Sequence, residues 1–243
     1  MKILAIDTST EACSAALYID DEASHVNNSK NITSRYQLAP REHSRLILKM
    51  IDDLLTEAAL SVSVLDAIAF GRGPGSFMGL RIAAGVVQGI AFAHDIPVIP
   101  VSTLKATAQR VYQETGSHHV LAAIDARMDE VYWAAYSLKD QQWLLHGEES
   151  VISPDKVSLP KMADQSEVTW VGAGTGWASY KDRLLQALNC QLSTISPECF
   201  PNAEVIVKLA VDEFRSGNTV SAAEAVPVYI RNDVAKKPKP VKL

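Results

Sequence analysis

The sequence predicts an α/β fold made of two halves of similar build. The chain has 243 residues, which at about 150 residues per domain allows one large domain or two modest ones. Each half opens with an apolar strand, a polar turn and a second strand, at residues 2–19 and again at residues 120–138. Strands and helices then alternate in both halves. These observations indicate an internal duplication with Gly116 as the boundary, although no residue-level repeat is visible.

Hydrophobic periodicity and turn residues place the individual elements. In the first half, strands are predicted at residues 2–6, 12–19, 65–70 and 97–101, a looser strand within 24–33, and helices at 44–58, 76–94 and 102–114. In the second half, strands are predicted at residues 120–124, 131–138, 168–171 and 226–231, and helices at 181–188 and 202–215. We expect an N-terminal domain over residues 1–116 and a C-terminal domain over 117–219, with residues 220–243 a candidate to pack back on the first.

Composition favours a globular protein of the cytoplasm. Hydrophobic residues make up 47% of the chain and charged residues 21%, which excludes a disordered or collagen-like chain. Three cysteines without CxxC spacing provide neither a disulfide framework nor a zinc site. The N-terminus does not have the pattern of a secretory signal, and the apolar stretch at residues 82–93 is interrupted by Gln88 and looks too short to cross a membrane.

Charge is unevenly distributed along the chain. The formal net charge is −5, yet residues 236–243 contain four lysines and no acid. The acidic body would repel a phosphate backbone unless a local basic patch overrides it. The lysine-rich tail could hold nucleic acid weakly, or it could be a solvated terminus stiffened by proline.

Two short segments carry residues that could bind phosphate. Asp7, Thr8 and Ser9 end the first strand, where a carboxylate and hydroxyls can orient metal-bound water or donate to phosphate oxygens. They could equally be a turn whose side chains bond back to the backbone. Gly73, Gly75 and Ser76 lie between a strand and a helix N-terminus, which can receive an anion, but they could also be ordinary turn chemistry with Ser76 as the cap.

The second half contains weaker candidates of the same kind. The glycines of residues 172–176 do not have the spacing of a dinucleotide-binding fingerprint. Asp125 and Arg127 lie in the second hairpin turn, where they could flank a phosphate or simply pair with each other.

The predicted helix at residues 76–94 is unusually rich in glycine. Gly79, Gly85 and Gly89 each cost about 1 kcal/mol relative to alanine in a helix interior. Small residues on two faces allow close backbone approach on both sides. One side is expected to face the protein's own sheet, and the other a second helix of the chain or a partner's helix. The neighbouring helix, residues 44–58, has an apolar stripe wider than one sheet contact requires, which also favours an interface.

Familiar catalytic patterns are missing from the sequence. No two of the six histidines are three or four residues apart, so no helix face presents a histidine pair to a metal. There is no GxSxG motif and no recognisable triad. The sequence therefore predicts no catalytic residue and no metal ligand.

Taken together, five segments resemble the bacterial TsaB (YeaZ) family. They are MKILAIDTST, EHSRLILKMIDDLL, GRGPGSFMGLRIAAGVVQGIAFAHDIPVIPVSTL, AAIDARMDEVYWAAY and PVYIRN. The resemblance implies a two-domain fold of the actin/Hsp70/sugar-kinase type. It also implies a role in making N6-threonylcarbamoyladenosine on tRNA, as a partner of the TsaD transferase with the TsaE ATPase, as a homodimer in isolation, and with tRNA reached only through the complex.

The resemblance also locates the interface and the lost chemistry. It implies that the two helices form the surface that binds TsaD or a second copy; the interface residues are Leu46, Met50, Leu54, Gly79, Ala83, Val86 and Ile90. The Asp7 and Gly73 segments would be inherited phosphate-loop positions. No cofactor would be required, and ATP or ADP within the complex is left open.

One comparison with TsaD-like proteins assigns the role. Those proteins carry a His-x-x-x-His metal motif after a strand resembling IPAIPV, and its histidine positions fall on Thr103 and Thr107 here. Threonine hydroxyls cannot replace imidazoles as ligands for a transition metal. We therefore expect a non-catalytic subunit that binds and activates TsaD. The rival interpretations are an active ATP-binding phosphotransferase or ATPase and, with less support, a metallopeptidase.

Overall fold

Two five-stranded mixed sheets form the framework of the molecule. The computed structural model describes residues 1–20, 31–160 and 168–231. In the first half the elements are β1 (Lys2–Asp7), β2 (Ala12–Ile19), β3 (Ile32–Leu38), α1 (His43–Glu57), β4 (Ala67–Gly73), α2 (Phe77–His94), β5 (Val98–Ser102) and α3 (Thr103–Thr115). In the second half they are β6 (His119–Arg127), β7 (Glu130–Lys139), β8 (Gln142–Ile152), β9 (Val171–Ala173), α4 (Thr175–Leu188), β10 (Thr194–Ser196) and α5 (Ala203–Arg215).

The two sheets have the same topology. The strand order is β3-β2-β1-β4-β5 in the first sheet and β8-β7-β6-β9-β10 in the second. In each, the opening hairpin is antiparallel and the two strands on its other side run parallel to the first strand. This repeat confirms the predicted α/β fold of duplicated mixed-sheet halves, as the family resemblance implies.

Three hydrophobic clusters divide the interior into layers. The first packs α1 and α2 on the outer face of the first sheet, and another packs α4 on the outer face of the second. The third lies between the two sheets and contains α3 and α5. Helix α3 contacts strands of both sheets, and α5 contacts β1 and β2 of the first. Helix α5 thus packs on the first sheet although its sequence position lies within residues 117–219.

The C-terminal segment returns to the first sheet. Val220 and Val98 exchange backbone hydrogen bonds of 2.8 and 2.9 Å, and the amide of Val228 donates to the carbonyl of Arg72 at 2.8 Å. Ala225 is buried among the residues of the α1–α2 cluster. Arg231, at the end of this segment, contacts Arg127, Met128 and Glu130 of the second half. Residues 232–243, including the lysine-rich tail, lie outside the described residues.

Most predicted elements are present, and the differences are local. Strand β8, Gln142–Ile152, and the short strand β10 were not predicted. Helix α4 begins at Thr175 rather than at residue 181. Residues 226–231 were predicted as a strand but do not form one. The looser third strand was placed within residues 24–33, whereas β3 spans Ile32–Leu38; residues 24–30 of that prediction are outside the described residues.

Candidate functional site

The six predicted phosphate-loop residues come together where β1, β4 and α2 meet. Asp7 is the last residue of strand β1, Thr8 and Ser9 follow it, and all three are buried. The hydroxyl of Thr8 donates to the carbonyl of Gly79 at 2.7 Å, and the amide of Ser76 donates to the carbonyl of Ser9 at 2.7 Å. The first turn of α2 is therefore fastened directly onto the β1–β2 turn.

Glycine is what allows this close approach. A Cβ atom on Gly79 would lie well inside contact distance of the Thr8 carbonyl oxygen, and one on Gly75 would clash with the carbonyl oxygen of Ser9. Gly73 has a φ of +109° and lies beside the Val228 carbonyl, 2.8 Å from where its Cβ would be. Hydroxyl and amide groups that the sequence offered to a phosphate thus make hydrogen bonds within the protein.

Asp7 has unusual electrostatics in this packing. Its Oδ2 accepts a hydrogen bond from the Ser9 hydroxyl at 3.1 Å, while its Oδ1 has no partner among the described residues and faces Gly71. Burial penalises the charged carboxylate and raises the pKa of Asp7 to about 7, against a smaller opposing effect of the Ser9 hydrogen bonds. The carboxyl group is therefore close to half protonated at neutral pH.

Thr103 and Thr107, at the positions of the metal motif, lie in the first turns of α3. Both are fully buried. The hydroxyl of Thr103 donates to the carbonyl of Pro74, and the hydroxyl of Thr107 donates to the carbonyl of Thr103 at 2.9 Å. Each hydroxyl is thus directed at the protein's own backbone. Within residues 1–20, 31–160 and 168–231, no three His, Cys, Asp or Glu side chains are grouped so as to hold a metal ion.

The candidate residues of the second half also contact one another. Arg127 donates to Asp125 from its backbone amide at 2.8 Å and from its guanidinium at 3.1 Å. The same guanidinium reaches Glu11 of the first half at 3.1 Å. The sequence left open whether Asp125 and Arg127 flank a phosphate or pair with each other. In the structure they pair with each other. Gly174, with a φ of +103°, lets the β9–α4 loop approach the carbonyl of Ala123.

Helix α2 presents a stripe of exposed residues to the outside, which we call the outer stripe. Its members are exposed and spaced by three and four residues; they are Met78, Arg81, Gly85, Gly89 and Phe92. Phe92 is 84% exposed, and Leu48 of the adjacent helix α1 is 57% exposed. Apart from the backbone of α2 itself, no heavy atom of the described residues lies within 4 Å of where a Cβ on Gly85 or Gly89 would be. Apart from Arg81, the outer stripe is therefore apolar, and at its centre, around Gly85 and Gly89, it is narrow and open among the described residues.

The seven predicted interface residues differ in their exposure. Four of them are buried within the chain and offer little or no surface; they are Met50, Leu54, Gly79 and Ala83. The other three are partly exposed: Leu46, Val86 and Ile90. Met78 and Phe92 were not among the predicted interface residues, although their exposed apolar side chains fall on the same helical period as Gly85 and Gly89.

The N-terminal end of the outer stripe is braced by the C-terminal segment. The Arg81 guanidinium lies 3.9 Å from the centre of the Phe77 ring and donates to the Tyr229 hydroxyl at 3.1 Å. The rings of Phe77 and Tyr229 are 5.4 Å apart. Two of the sequence motifs, GPGSFMGLR and PVYIR, therefore meet at this point.

By length and composition alone, α2 could cross a membrane. It has 18 residues and a mean hydropathy of 1.3. The sequence predicted that the apolar stretch at residues 82–93 is too short to cross a membrane. The helix that contains it is longer, because it begins at Phe77. A third of α2 is buried, and its inner residues pack on the first sheet. Core helices of soluble proteins can pass the same test, so the finding is weak.

Comparisons with known proteins agree with one another. Residues 23–239 match the family model described as TsaD, tRNA N6-adenosine threonylcarbamoyltransferase. The chain is 42% identical to the tRNA threonylcarbamoyladenosine biosynthesis protein TsaB of Escherichia coli, covering all of both chains. It is 40% identical to the protein of the same name from Haemophilus influenzae, covering 99% of this chain and 98% of the other.

A solved structure gives the same answer. A Pseudomonas aeruginosa protein described as similar to peptidase YeaZ superposes with a TM-score of 0.85 at 45% identity, covering 95% of this chain and 99% of the other. The resemblance inferred from the five sequence segments is thereby confirmed. The chain belongs to the TsaB (YeaZ) family of tRNA threonylcarbamoyladenosine biosynthesis proteins.

Proposed function

We propose that this protein is a non-catalytic subunit of the machinery that makes N6-threonylcarbamoyladenosine in tRNA. In this proposal it works in the cytoplasm by binding and activating the TsaD transferase, and the TsaE ATPase joins the complex. The same surface forms a homodimer when TsaD is absent. The protein reaches tRNA only through the complex, which is in keeping with its net charge of −5.

The observation that carries the proposal is the pair of outward glycines on α2. Each interior glycine costs about 1 kcal/mol of helix stability relative to alanine. Gly79 is required by the monomer because it touches Thr8, but Gly85 and Gly89 have open space where a Cβ would be. Close packing of a partner's backbone on the outer stripe would explain why residues 85 and 89 are glycine, whereas the monomer alone does not explain it.

The surroundings of the outer stripe favour a protein partner over a membrane. Exposed apolar side chains at Met78, Phe92 and Leu48 extend it, and exposed apolar patches rimmed by polar residues typically mark interfaces. Charged residues lie in and beside the outer stripe. Arg81 belongs to the stripe, and Arg45 and Lys49 are exposed on the adjacent helix α1. A helical partner surface of matching shape would bury the apolar residues and leave these charges at its edge.

The non-catalytic role is supported by the engagement of Thr103 and Thr107. Their hydroxyls are buried and donate to backbone carbonyls, so neither points at an open coordination position. The hydrogen bonds between the Asp7–Ser9 turn and α2 likewise use groups that a phosphate would need. We therefore propose that this subunit needs no cofactor by itself, and that any ATP or ADP is bound in the complex.

Reconstitution tests the proposal. Threonylcarbamoyl transfer to tRNA would be measured with TsaD, TsaE and the threonylcarbamoyl-adenylate donor, with and without this chain. We expect transfer to depend on the chain, and the chain alone to be inactive. Gly85→Leu places a large side chain at the centre of the outer stripe, and we expect it to abolish co-elution with TsaD and to reduce transfer at least tenfold.

The matched control is Gln186→Leu, which adds leucine at an exposed helical position in the second half. It should leave both complex formation and transfer unchanged. Full transfer by TsaD and TsaE without this chain would refute the activating role. An intact complex with Gly85→Leu would refute the assigned surface. Transfer by the chain alone, or ATP hydrolysis by it, would favour the active-enzyme alternative.

A further inference from the structure

A second candidate site lies in a cavity between the two halves. Its volume is about 430 Å³, and it is bordered by the ends of β4 and β5, the first turn of α3, strands β7 and β8, and α5. The lining residues that carry the argument are Arg72, Lys105, Tyr136, Trp143, Glu148 and Glu149. They are distinct from the Asp7 turn and from the outer stripe, so nothing in the proposed function uses them.

A bulge in β8 brings two consecutive glutamates to this cavity. Trp133 of β7 pairs with Ser150, but Ala135 pairs with His146, so three residues of β8 stand opposite one residue of β7. Successive side chains of a regular strand point to opposite faces, whereas a bulge breaks that alternation. Gly147, with a φ of +82°, begins the bulge, and Glu148 and Glu149 both line the cavity.

The two oxygens of the Glu149 carboxylate are bonded unequally. Its side chain is 9% exposed. Its Oε1 accepts hydrogen bonds from the Tyr136 hydroxyl at 2.7 Å and from the Ser102 hydroxyl. Its Oε2 is 3.6 Å from the Arg72 guanidinium, which is too long for a good hydrogen bond. The mostly buried Glu149 carboxylate and the Arg72 guanidinium thus form an ion pair without a good hydrogen bond between them.

Other side chains that line the cavity are held by contacts within the protein. The Trp143 indole donates to the Gln109 side chain at 2.7 Å and makes edge contacts with the rings of Tyr112 and Tyr136. Lys105 is paired with Glu213 at 3.0 Å. The cavity therefore combines an apolar aromatic wall with a few fixed polar groups, as small-molecule sites usually do.

We propose that this cavity binds a small zwitterion, namely a free α-amino acid with an apolar side chain. The ligand carboxylate would pair with Arg72, its ammonium group with Glu148 and Glu149, and its side chain would rest against Trp143. An anion alone would face the carboxylates of the bulge, and a cation alone would face Arg72 and Lys105. A ligand that carries both charges complements both the glutamates of the bulge and the basic residues opposite them.

Isothermal titration calorimetry on the purified chain tests this without TsaD. The probes are L-leucine and L-phenylalanine, with N-acetyl-L-leucine and L-leucinamide as analogues that each lack one charge. We expect saturable binding of at least one free amino acid and a loss of at least about tenfold in affinity for both analogues, because each leaves a charged group unpaired. Absence of saturable binding by both amino acids at millimolar concentration would overturn the proposal.

Two variants test the location of the site. Glu149→Gln removes the charge but keeps a hydrogen-bond acceptor for Tyr136, and Arg72→Gln is a second variant in case the first does not fold. Either should weaken binding by at least about tenfold. Glu204 forms a partly exposed ion pair with Lys208 on α5 and does not line the cavity. Glu204→Gln is therefore the control and should leave amino-acid binding unchanged. Binding that survives both cavity variants would place the ligand elsewhere and overturn the assignment.

Discussion

The turns of the two opening hairpins occupy equivalent positions in the two sheets but are built in opposite ways. In the first half, Asp7, Thr8 and Ser9 are buried beneath α2 and hydrogen-bond to it or to one another. In the second half, Arg127 and Met128 are exposed, and Arg127 joins an ion pair with Glu11 across the halves. The same topology thus hides one set of polar residues and displays the other, so a polar turn in the sequence does not by itself indicate a ligand site.

The largest expected effect comes from the buried carboxyl group. The pKa of Asp7 is about 7 in the folded protein, against 3.8 for an exposed aspartate side chain, with burial as the main cause. The native state therefore holds an extra proton between these two pH values. The stability that this bound proton on Asp7 gives the folded protein is fully present below about pH 4 and is lost as pH rises through about 7. The difference of about three pH units corresponds to about 4 kcal/mol.

Asp7→Asn removes this titration. We expect the free energy of unfolding of Asp7→Asn, relative to the natural protein, to rise between pH 4 and pH 8 by about 4 kcal/mol, measured by urea denaturation. Asp155→Asn is the control of opposite sign, because hydrogen bonds from Arg183 lower the pKa of Asp155 and its contribution is lost only as pH falls. A relative stability of Asp7→Asn that does not change with pH would contradict the assignment.

The second effect separates the two faces of α2. Gly79→Ala forces a methyl group against the Thr8 carbonyl, so we expect it to destabilise the protein by about 3 kcal/mol. Gly85→Ala adds the same methyl group in open space, and should stabilise the monomer by about 1 kcal/mol. Thermal unfolding, measured at protein concentrations low enough to dissociate the proposed homodimer, gives the comparison. Equal effects of the two substitutions would show that α2 does not pack on the turn as described.

Much of the first half was predictable because its elements follow simple periods. Strand β2 was placed at its observed bounds, and α1 and α2 within one residue at each end. Strand β8 was missed because its sequence, QWLLHGEESVI, does not alternate, and the bulge at Gly147 explains why. Helix α4 was started too late because Tyr180 interrupts it with a non-helical φ of −135°.

The site was harder to predict than the fold. Small and apolar residues occur on both faces of α2, and periodicity alone cannot say which face meets the sheet. Ala83 therefore seemed available to a partner when it is fully buried, while Phe92 was overlooked. The cavity residues Arg72 and Glu149 are far apart in sequence and meet only through packing of the two halves. Such tertiary contacts leave no local pattern.

The third effect concerns how the exposed turn is held. Arg231 is mostly buried; it donates to the Arg127 carbonyl at 3.2 Å, contacts the Met128 sulfur at 3.4 Å and pairs with Glu130. Arg231→Gln should destabilise the protein by roughly 2 kcal/mol, since hydrogen bonds to a charged group are lost in a partly buried place. Arg215→Gln, which removes a more exposed ion pair, is the control and should cost less. Equal losses in chemical denaturation would mean that Arg231 does not hold the turn.

The smallest expected effect is at the ion pair that crosses between the halves. The Arg127 side chain is 74% exposed and its Glu11 partner 40%, so solvent screens their attraction. We expect Glu11→Gln, which removes this pair but leaves the Arg127–Asp125 pair in place, to lower the free energy of unfolding by less than about 1 kcal/mol, and the loss to shrink as salt is added. Urea denaturation at low and high ionic strength measures both. A loss as large as that of Arg231→Gln, unchanged by salt, would mean that this ion pair stabilises the exposed turn as strongly as Arg231 does.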